Sequence, residues 1–553
     1  MTGRPVYEAL ADAFAAEGVR AHFTLLGTTN LHWATALAAL PAVQTYYARH
    51  EHCACAMAMG YAEATDEPGV ASVTCGPGLT QIMTALVTAA HARLPLVVFA
   101  GESPLRASFY NQRIDQAPLV TASGGHYIAA HSVERMFDYV RDAFLIARTE
   151  RRPVVIGVPS DLQKQEFGAS DRYVPSTAVM PDVGAMMSNP VDVEPAAQLV
   201  AGAKRVIVLG GRGAKRAGAG AACEQLAEIC GGLLANTLPV RGLFDSNPFS
   251  LGVAGGYAHR VARARFAECD LVIAVGASLT SFTADGGKLF PNAKIIQIDT
   301  DPVGVRHGRK VADLYVRADA KAGVEALVEA LVARGRRGPD WRASAEVRPS
   351  ADDEKAARDF ETEPGTVHPA LAVRALDDAI PKDWDIVTSA GHNSFFSAQL
   401  RGRRVENAHA IREFGAIGNG LAYAIGVAAA KPDKPVVLIE GDGGFLMHIQ
   451  ELDTVRRHRL KILMCILNDG AYGSEIHHMR AEGLDPSGAT FGRGDLGAVA
   501  RGFGLRGSVV TKLDQIGPAL EGFRASDTAE VLDVHISDRV RSSFSHAHLP
   551  AHK

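Results

Sequence analysis

GDGGFLMHIQELDTVRRHRLKILMCILNDGAYG, residues 441–473, is the stretch whose reading decides the fold. It opens on the turn Gly441-Asp442-Gly443-Gly444, directly after the apolar run PVVLI at 435–439. It closes on Asn468-Asp469-Gly470, directly after ILMCIL at 462–467. Short unbroken apolar runs bounded by turns read as buried parallel strands. The segment between them, 445–457, has helical spacing and is predicted to cross from one strand to the next. Two oxygen-bearing turns then stand at the carboxyl ends of neighbouring strands, where open α/β sheets bind ligands.

Those turns offer a narrow chemistry. Asp442 and Asp469 supply hard oxygen ligands, and a backbone carbonyl just after can add a third. Mg²⁺ takes a few protein oxygens and completes its octahedron with water and phosphate oxygens. Gly443 and Gly444 let backbone N–H groups approach a phosphate, with a helix N-terminus behind them. A metal–diphosphate anchor is the reading. Two ordinary Gly/Asp turns are the alternative. The spacing favours the anchor: the Gly-Asp-Gly is followed by twenty-four residues and then by Asn-Asp-Gly, each half after a strand.

Outward from this stretch the chain reads as three doubly wound α/β domains, over 1–175, 190–335 and 366–540. In the first, helical spacing at 7–17 is followed by strands at 22–26, 44–47, 70–74, 96–100 and 154–158. The strand at 44–47 runs into Arg49-His50-Glu51 and a helix at 52–65. The loop 102–116 is long and polar, as site-bordering loops are, and Gln112 and Gln116 are placed to line its mouth. A stretch with Pro and Met at 174–195 reads as a linker. The central domain has strands at 205–209, 232–235, 271–275 and 295–299. A polar linker is expected at 335–364. In the third domain the first strand, 385–388, leads to Gly391-His392-Asn393-Ser394. The tail SFSHAHLPAHK, 543–553, reads as a mobile or docked terminus.

Residues 441–473 resemble the thiamine-diphosphate signature, a Gly-Asp-Gly followed some two dozen residues later by Asn-Asn. The resemblance covers nearly the whole chain. It is closest to the superfamily of acetolactate synthases, benzoylformate decarboxylases, benzaldehyde lyases and 2-oxoacid decarboxylases. It implies that the first and third domains bind the pyrimidine and the diphosphate of the cofactor. It implies that Asp442, Asp469 and the carbonyl of Ala471 hold Mg²⁺. Asp469 stands where the family usually has Asn, which adds a negative charge beside an anionic diphosphate. Glu51 matches the family glutamate that hydrogen-bonds N1′ of the aminopyrimidine, so that the cofactor takes a proton from its own C2. Its surroundings, RHEHCACAMAMGYA, are small and apolar and predict a largely buried carboxylate.

Gly415-Ala416-Ile417-Gly418 matches the segment that holds the two cofactor rings in a bent V. By that match the Gly415 carbonyl and the Ile417 N–H contact the aminopyrimidine, and Ile417 is the wedge. Gly391, His392 and Asn393 are placed to reach the diphosphate. Thr28 and Thr29 lie where relatives place a Ser or His near the reacting carbonyl, and a simple turn is the other reading. Glu475 stands where decarboxylases of this kind carry a glutamate that helps proton transfer. The paired first-domain histidines of those enzymes are absent, and surface roles are expected for His126, His477 and His478.

The activity implied is cleavage or formation of a carbon–carbon bond next to a carbonyl. A 2-oxoacid would lose CO₂, and the acyl fragment would leave as an aldehyde or join a second carbonyl. The family shares its sites across a subunit interface, which implies a homodimer or a dimer of dimers. An acetolactate synthase that also uses FAD and a silent cofactor-binding homologue are the alternatives. FAD is not expected: Gly210-Gly211-Arg212-Gly213 lacks dinucleotide spacing, and Gly276–Thr280 replaces an Arg/Asp-rich loop.

Composition narrows the class. The 553 residues carry 47% hydrophobic and 21% charged residues and a net charge of −4. That balance suits a globular protein and favours neither nucleic acid nor an anionic membrane as partner. The amino-terminal sequence reads as an amphipathic helix with no signal pattern, so a cytoplasmic location is expected. Seven cysteines lie in apolar or alanine-rich surroundings and read as buried thiols, without a zinc pattern.

Overall fold

The computed structural model describes residues 3–168, 172–301, 312–336, 338–347, 355 and 357–542. A short antiparallel pair, β1 (Arg4–Pro5) and β8 (Glu166–Phe167), ties the start of the chain to the end of the first domain. The first sheet contains β2 (Ala21–Thr24), β3 (Gln44–Tyr47), β4 (Gly69–Val73), β5 (Leu96–Glu102), β6 (His126–Ala129) and β7 (Pro153–Pro159). Its order is β3-β2-β4-β5-β7-β6, all parallel.

The central sheet contains β9 (Val206–Gly210), β10 (Leu233–Asn236), β11 (Ser250–Val253), β12 (Leu271–Val275), β13 (Lys294–Asp299) and β14 (Leu314–Arg317). Its order, β11-β10-β9-β12-β13-β14, is that of dinucleotide-binding folds. The third contains β15 (Asp385–Thr388), β16 (Ala408–Ala410), β17 (Val436–Gly441), β18 (Ile462–Asn468), β19 (Arg506–Val510) and β20 (Glu530–His535). Its order, β16-β15-β17-β18-β20-β19, repeats the first sheet strand for strand. The expected fold class, three parallel-sheet α/β domains, is the fold observed.

Both predicted strands of the opening stretch form, and they pair in parallel from Val436↔Ile462 to Gly441↔Leu467. The crossing segment is not one helix. Helices at Asp442–Met447 and Leu452–Arg457 flank a 3₁₀ turn at Ile449–Glu451. The break is at His448, whose backbone leaves the helical region (φ −133°) while its Nδ1 donates to the Gly418 carbonyl at 2.8 Å. The expected linker at 174–195 is shorter than predicted. A helix at Pro190–Gly202 begins inside it, with the Asn189 side chain accepting from Val191 N–H and Pro190 in the first turn. The polar tail 543–553 and part of the second linker, 337, 348–354 and 356, lie outside the described residues.

The first and third domains meet through two helices. Glu51–Thr65 packs on Gly420–Ala430, which is apolar on every face and is buried. Gly60 and Gly426 permit the approach. A Cβ on Gly60 would strike the Tyr423 carbonyl, and one on Gly426 the Met57 carbonyl. The central domain is fastened to both: Lys215 Nζ pairs with Glu63 at 3.2 Å, and Arg212 pairs with Glu413. All seven cysteines are free and buried. Among the described residues no helix is long and apolar enough to cross a membrane.

Candidate active site

The two oxygen-bearing turns come together. Asp442 is buried at the start of the helix that follows β17, and Asp469 is buried just past the end of β18. Their carboxyl groups are close enough for the charge of one to act on the other. Asp442 also accepts Gly470 N–H at 2.9 Å, and Asp469 accepts Ala471 N–H at 3.2 Å. Burial raises Asp442 to about 6. Burial raises Asp469 well above the usual carboxylate range, and the neighbouring charge of Asp442 adds to that. Two like charges this close do not both stay ionised without a cation.

The Ala471 carbonyl faces the same turn: a Cβ on Gly443 would stand 3.7 Å from it. That Cβ would also stand 2.7 Å from the Tyr472 ring, so Gly443 is held to glycine by contact. Gly444 lies against the Ile417–Gly418 segment, with a would-be Cβ 3.3 Å from Gly418 N. Ile417 is half-buried, and Gly415 is exposed in the left-handed region at φ +71°. Asn468, the last residue of β18, turns the other way. Its Nδ2 donates to Asp533 at 2.9 Å, so it braces the strand end while Asp469 faces Asp442.

Residues 391–393 divide. The His392 ring packs against Phe396 and His477, and its Nε2 accepts from Ser542 N–H at 3.3 Å, so the side chain is engaged away from the turn. Asn393 stands beside Gly441, where a Cβ would lie 3.2 Å from Nδ2. Its Nδ2 donates to Ala390 at 3.1 Å, and its Oδ1 is buried with no partner among the described residues. The buried carboxyl pair, that orphaned oxygen and the side-chain-free glycines together fit a divalent cation with a diphosphate.

Glu51 opens its helix directly after β3, with His50 as the N-cap. In one chain it is half-buried, not largely buried as its sequence surroundings predicted. The apolar run that follows it, 53–60, is buried on every side, between the Gly420–Ala430 helix and the first sheet. The next residue, His52, joins the third domain: its Nε2 contacts Asn419 Oδ1 at 2.7 Å and its ring stacks on His448 at 5.0 Å. This pin was missed in the sequence, where two histidines nearly four hundred residues apart give no joint signal.

Thr28 and Thr29 part company. Thr28 is exposed. Thr29 is buried, its Oγ1 accepting Cys75 N–H at 2.8 Å and contacting Thr74 Oγ1 at 2.9 Å, so it ties two turns together. Glu475 is exposed in the first turn of Gly473–Glu482. His477 is buried on that helix, not superficial as expected, and burial lowers it to about 4. His478 donates to the Ser474 carbonyl at 2.8 Å, and His126 starts β6 with Arg152 3.1 Å away. Sequence reasoning also missed Glu440, buried at the end of β17 and raised to about 7 by burial. A carboxylate closing an otherwise apolar strand, VVLIE, was the available signal.

Comparison with known proteins agrees with this architecture. Residues 4–119 match the thiamine pyrophosphate enzyme N-terminal TPP binding domain, 193–327 the central domain and 389–534 the C-terminal TPP binding domain. The chain is 29% identical to a probable acetolactate synthase large subunit of Methanocaldococcus jannaschii, over 96% of this chain and 91% of that protein. It is 29% identical to the acetolactate synthase isozyme 2 large subunit of Escherichia coli, over 90% and 89%. It is 30% identical to the acetolactate synthase large subunit of Parasynechococcus marenigrum, over 88% and 80%. The chain belongs to the thiamine-pyrophosphate-dependent enzymes of the acetolactate synthase and decarboxylase superfamily.

Proposed function

We propose that this enzyme uses thiamine diphosphate with Mg²⁺ to make or break a carbon–carbon bond next to a carbonyl. Its reactions would be decarboxylation of a 2-oxoacid and formation or cleavage of a 2-hydroxyketone. The observation that carries the reading is the buried, electrostatically coupled pair Asp442–Asp469 beside the Gly443-Gly444 turn. Asp442, Asp469 and the Ala471 carbonyl would hold the ion, and the helix N-terminus at Asp442 would face the diphosphate. When bound, the cofactor supplies a carbon nucleophile that can also accept the electron pair released by decarboxylation. Glu51 would hold and return a proton at N1′, and Ile417 would support the rings from below. Gly415, through its carbonyl, would hold the aminopyrimidine in place. Two copies at least would be needed, each lending its Glu51 to the other's diphosphate domain.

A flavin has no part in this reading. The turn after β9 spends its own donors on the next strand: Gly211 N–H on Val275 at 2.9 Å and Gly213 N–H on Gly276 at 3.0 Å. Side chains are excluded from the contact as well, since a Cβ on Gly213 would lie 2.6 Å from Gly276 Cα. The engaged donors and the close backbone approach at this turn support the reading without a flavin.

The test is product analysis with thiamine diphosphate and Mg²⁺ over a panel of 2-oxoacids, each with and without an added aldehyde. CO₂ release with an aldehyde or 2-hydroxyketone product is expected. Failure of cofactor C2–H to exchange with deuterium in the protein would overturn the reading in favour of a silent homologue.

A further inference from the structure

A cavity of about 320 Å³ opens at the carboxyl end of the first sheet, lined among others by Cys75, Glu102, Gln112, Arg113, Tyr127 and His131. That volume is at the lower end of small-molecule pockets. It adjoins the turn at Cys75-Gly76, which Thr29 ties to the loop after β2. Glu51 follows β3 at the same end of the same sheet. The cavity is therefore on the substrate side of the site argued above.

Its chemistry is set by Glu102, the last residue of β5. One carboxylate oxygen accepts the Tyr127 hydroxyl and the other contacts His131 Nε2 at 2.6 Å. Gln116 Nε2 donates to Tyr127 Oη at 3.1 Å and so fixes the phenol. The fold reserves room for this group: a Cβ on Gly157, in the middle of β7, would collide with both Tyr127 Oη and Glu102. The Glu102 side chain keeps 15% of its surface exposed and His131 keeps 45%.

The nearby cation is already engaged. Arg113 directs four N–H donors at the loop beside it: Ser103 Oγ and the carbonyls of Pro104, Ala107 and Ser108. The cavity lining thus carries two carboxylates, Glu102 and Asp115, and the amides of Gln112 and Gln116, with the guanidinium turned onto its own loop. An anionic guest meets these carboxylates while the lining's two basic side chains are engaged, Arg113 with its loop and His131 with Glu102, whereas a hydroxyl finds acceptors.

We propose that this cavity seats the second substrate, the carbonyl acceptor, and selects a neutral aldehyde or ketone bearing a hydroxyl over a second 2-oxoacid. Glu102 and Gln112 take the hydroxyl hydrogen bonds, and Leu105 and Ile114 cover the carbon chain. The inference rests on the carbon–carbon bond-forming reading above.

The experiment gives the holoenzyme one 2-oxoacid donor and two competing acceptors, a neutral hydroxyaldehyde and a 2-oxoacid, and measures the ratio of their kcat/KM. Wild type is expected to favour the hydroxyaldehyde. Glu102→Gln removes the negative charge and should shift the ratio at least about tenfold toward the anionic acceptor. His131→Asn removes the group that can offset Glu102 and should shift the ratio the other way. The two variants moving the ratio in the same direction, or neither moving it, would overturn the proposal. So would a wild-type preference for the 2-oxoacid. Deuterium exchange at cofactor C2 in wild type is read in parallel. Its absence condemns the reading of the cofactor site, and its presence with unmoved ratios condemns this inference alone.

Discussion

The first and third domains are one topology built twice, and their matching turns carry opposite chemistry. β4 in the first sheet corresponds to β17 in the third, and β5 to β18. After β4 comes Cys75-Gly76, whose N–H groups are spent on Thr29 Oγ1 at 2.8 Å and Gln116 Oε1 at 3.1 Å. After β17 comes Asp442, turned toward Asp469 past the end of β18. The domain that closes its switch-point turn with its own side chains contributes Glu51 and the Glu102 cavity from its rim. The domain that puts carboxylates there is the one proposed to hold an ion. The same parallel sheet supports either outcome, so the function lies in a few turn residues and not in the fold.

The largest expected effect breaks the first domain's side of that comparison. Glu51→Gln should leave cofactor binding largely intact, because the diphosphate anchor proposed for the third domain is untouched. It should slow deuterium exchange at cofactor C2 by about 10²–10⁴-fold, the usual contribution of a positioned acid–base group. Exchange within about tenfold of wild type means that Glu51 is the wrong residue.

The next effect sharpens the third domain's side. Two carboxylates facing a polyanionic diphosphate make cofactor and ion depend on each other. At an effective dielectric near 20, unit charges about 4 Å apart repel by about 4 kcal/mol, and a divalent ion offsets this. Asp469→Asn should weaken Mg²⁺ binding without cofactor and reduce the coupling energy between the two ligands. Calorimetric titration of each ligand with and without the other measures the coupling directly. An unchanged coupling would show that Asp469 is no ligand. Asn468 does not then inherit the role by geometry, since its amide is held by Asp533.

What the sequence made legible follows from how local each signal is. Apolar strands such as 462–467 were readable because burial on both faces leaves an unbroken run. β20 was not, because Glu530 and Asp533 interrupt it. Those carboxylates are buried only because Arg506 and Ser508 meet Glu530, and Asn468 and Leu496 N–H meet Asp533. The turns bearing Asp442 and Asp469 were readable because glycine and aspartate stand at fixed distances after strands. The Glu102–Tyr127–His131 cluster was not, because its members lie on separate strands and loops and the clearance for them is a glycine in a fourth place, Gly157. A largely buried Glu51 was inferred from its neighbours. The neighbours are buried between the Gly420–Ala430 helix and the first sheet, which leave the N-terminal residue of their helix half-open.

The smallest effect compares how the two domains bury a histidine. His22 on β2 is fully buried among neutral groups, 2.9 Å from Ser72 Oγ and 3.3 Å from Thr45 Oγ1. Burial lowers it to about 3. His409 on β16 is also buried and lowered by burial, but Asp385 lies 2.8 Å from its Nε2 and opposes the shift. For His22 the folded value is below the ordinary one of 6.5. Below that pH the unfolded chain takes up a proton that the folded chain refuses, so stability is present above it and is lost as pH falls. At about 1.4 kcal/mol per pH unit, the loss from His22 between pH 7.5 and pH 5 is about 2 kcal/mol. His22→Gln keeps a polar group near Ser72 and should remove that part of the acid sensitivity, whereas His409→Gln should remove less. Denaturant unfolding at the two pH values, followed in wild type and both variants, measures it. If His22→Gln loses as much stability on acidification as wild type does, the neutral cage does not set the acid sensitivity of the first domain.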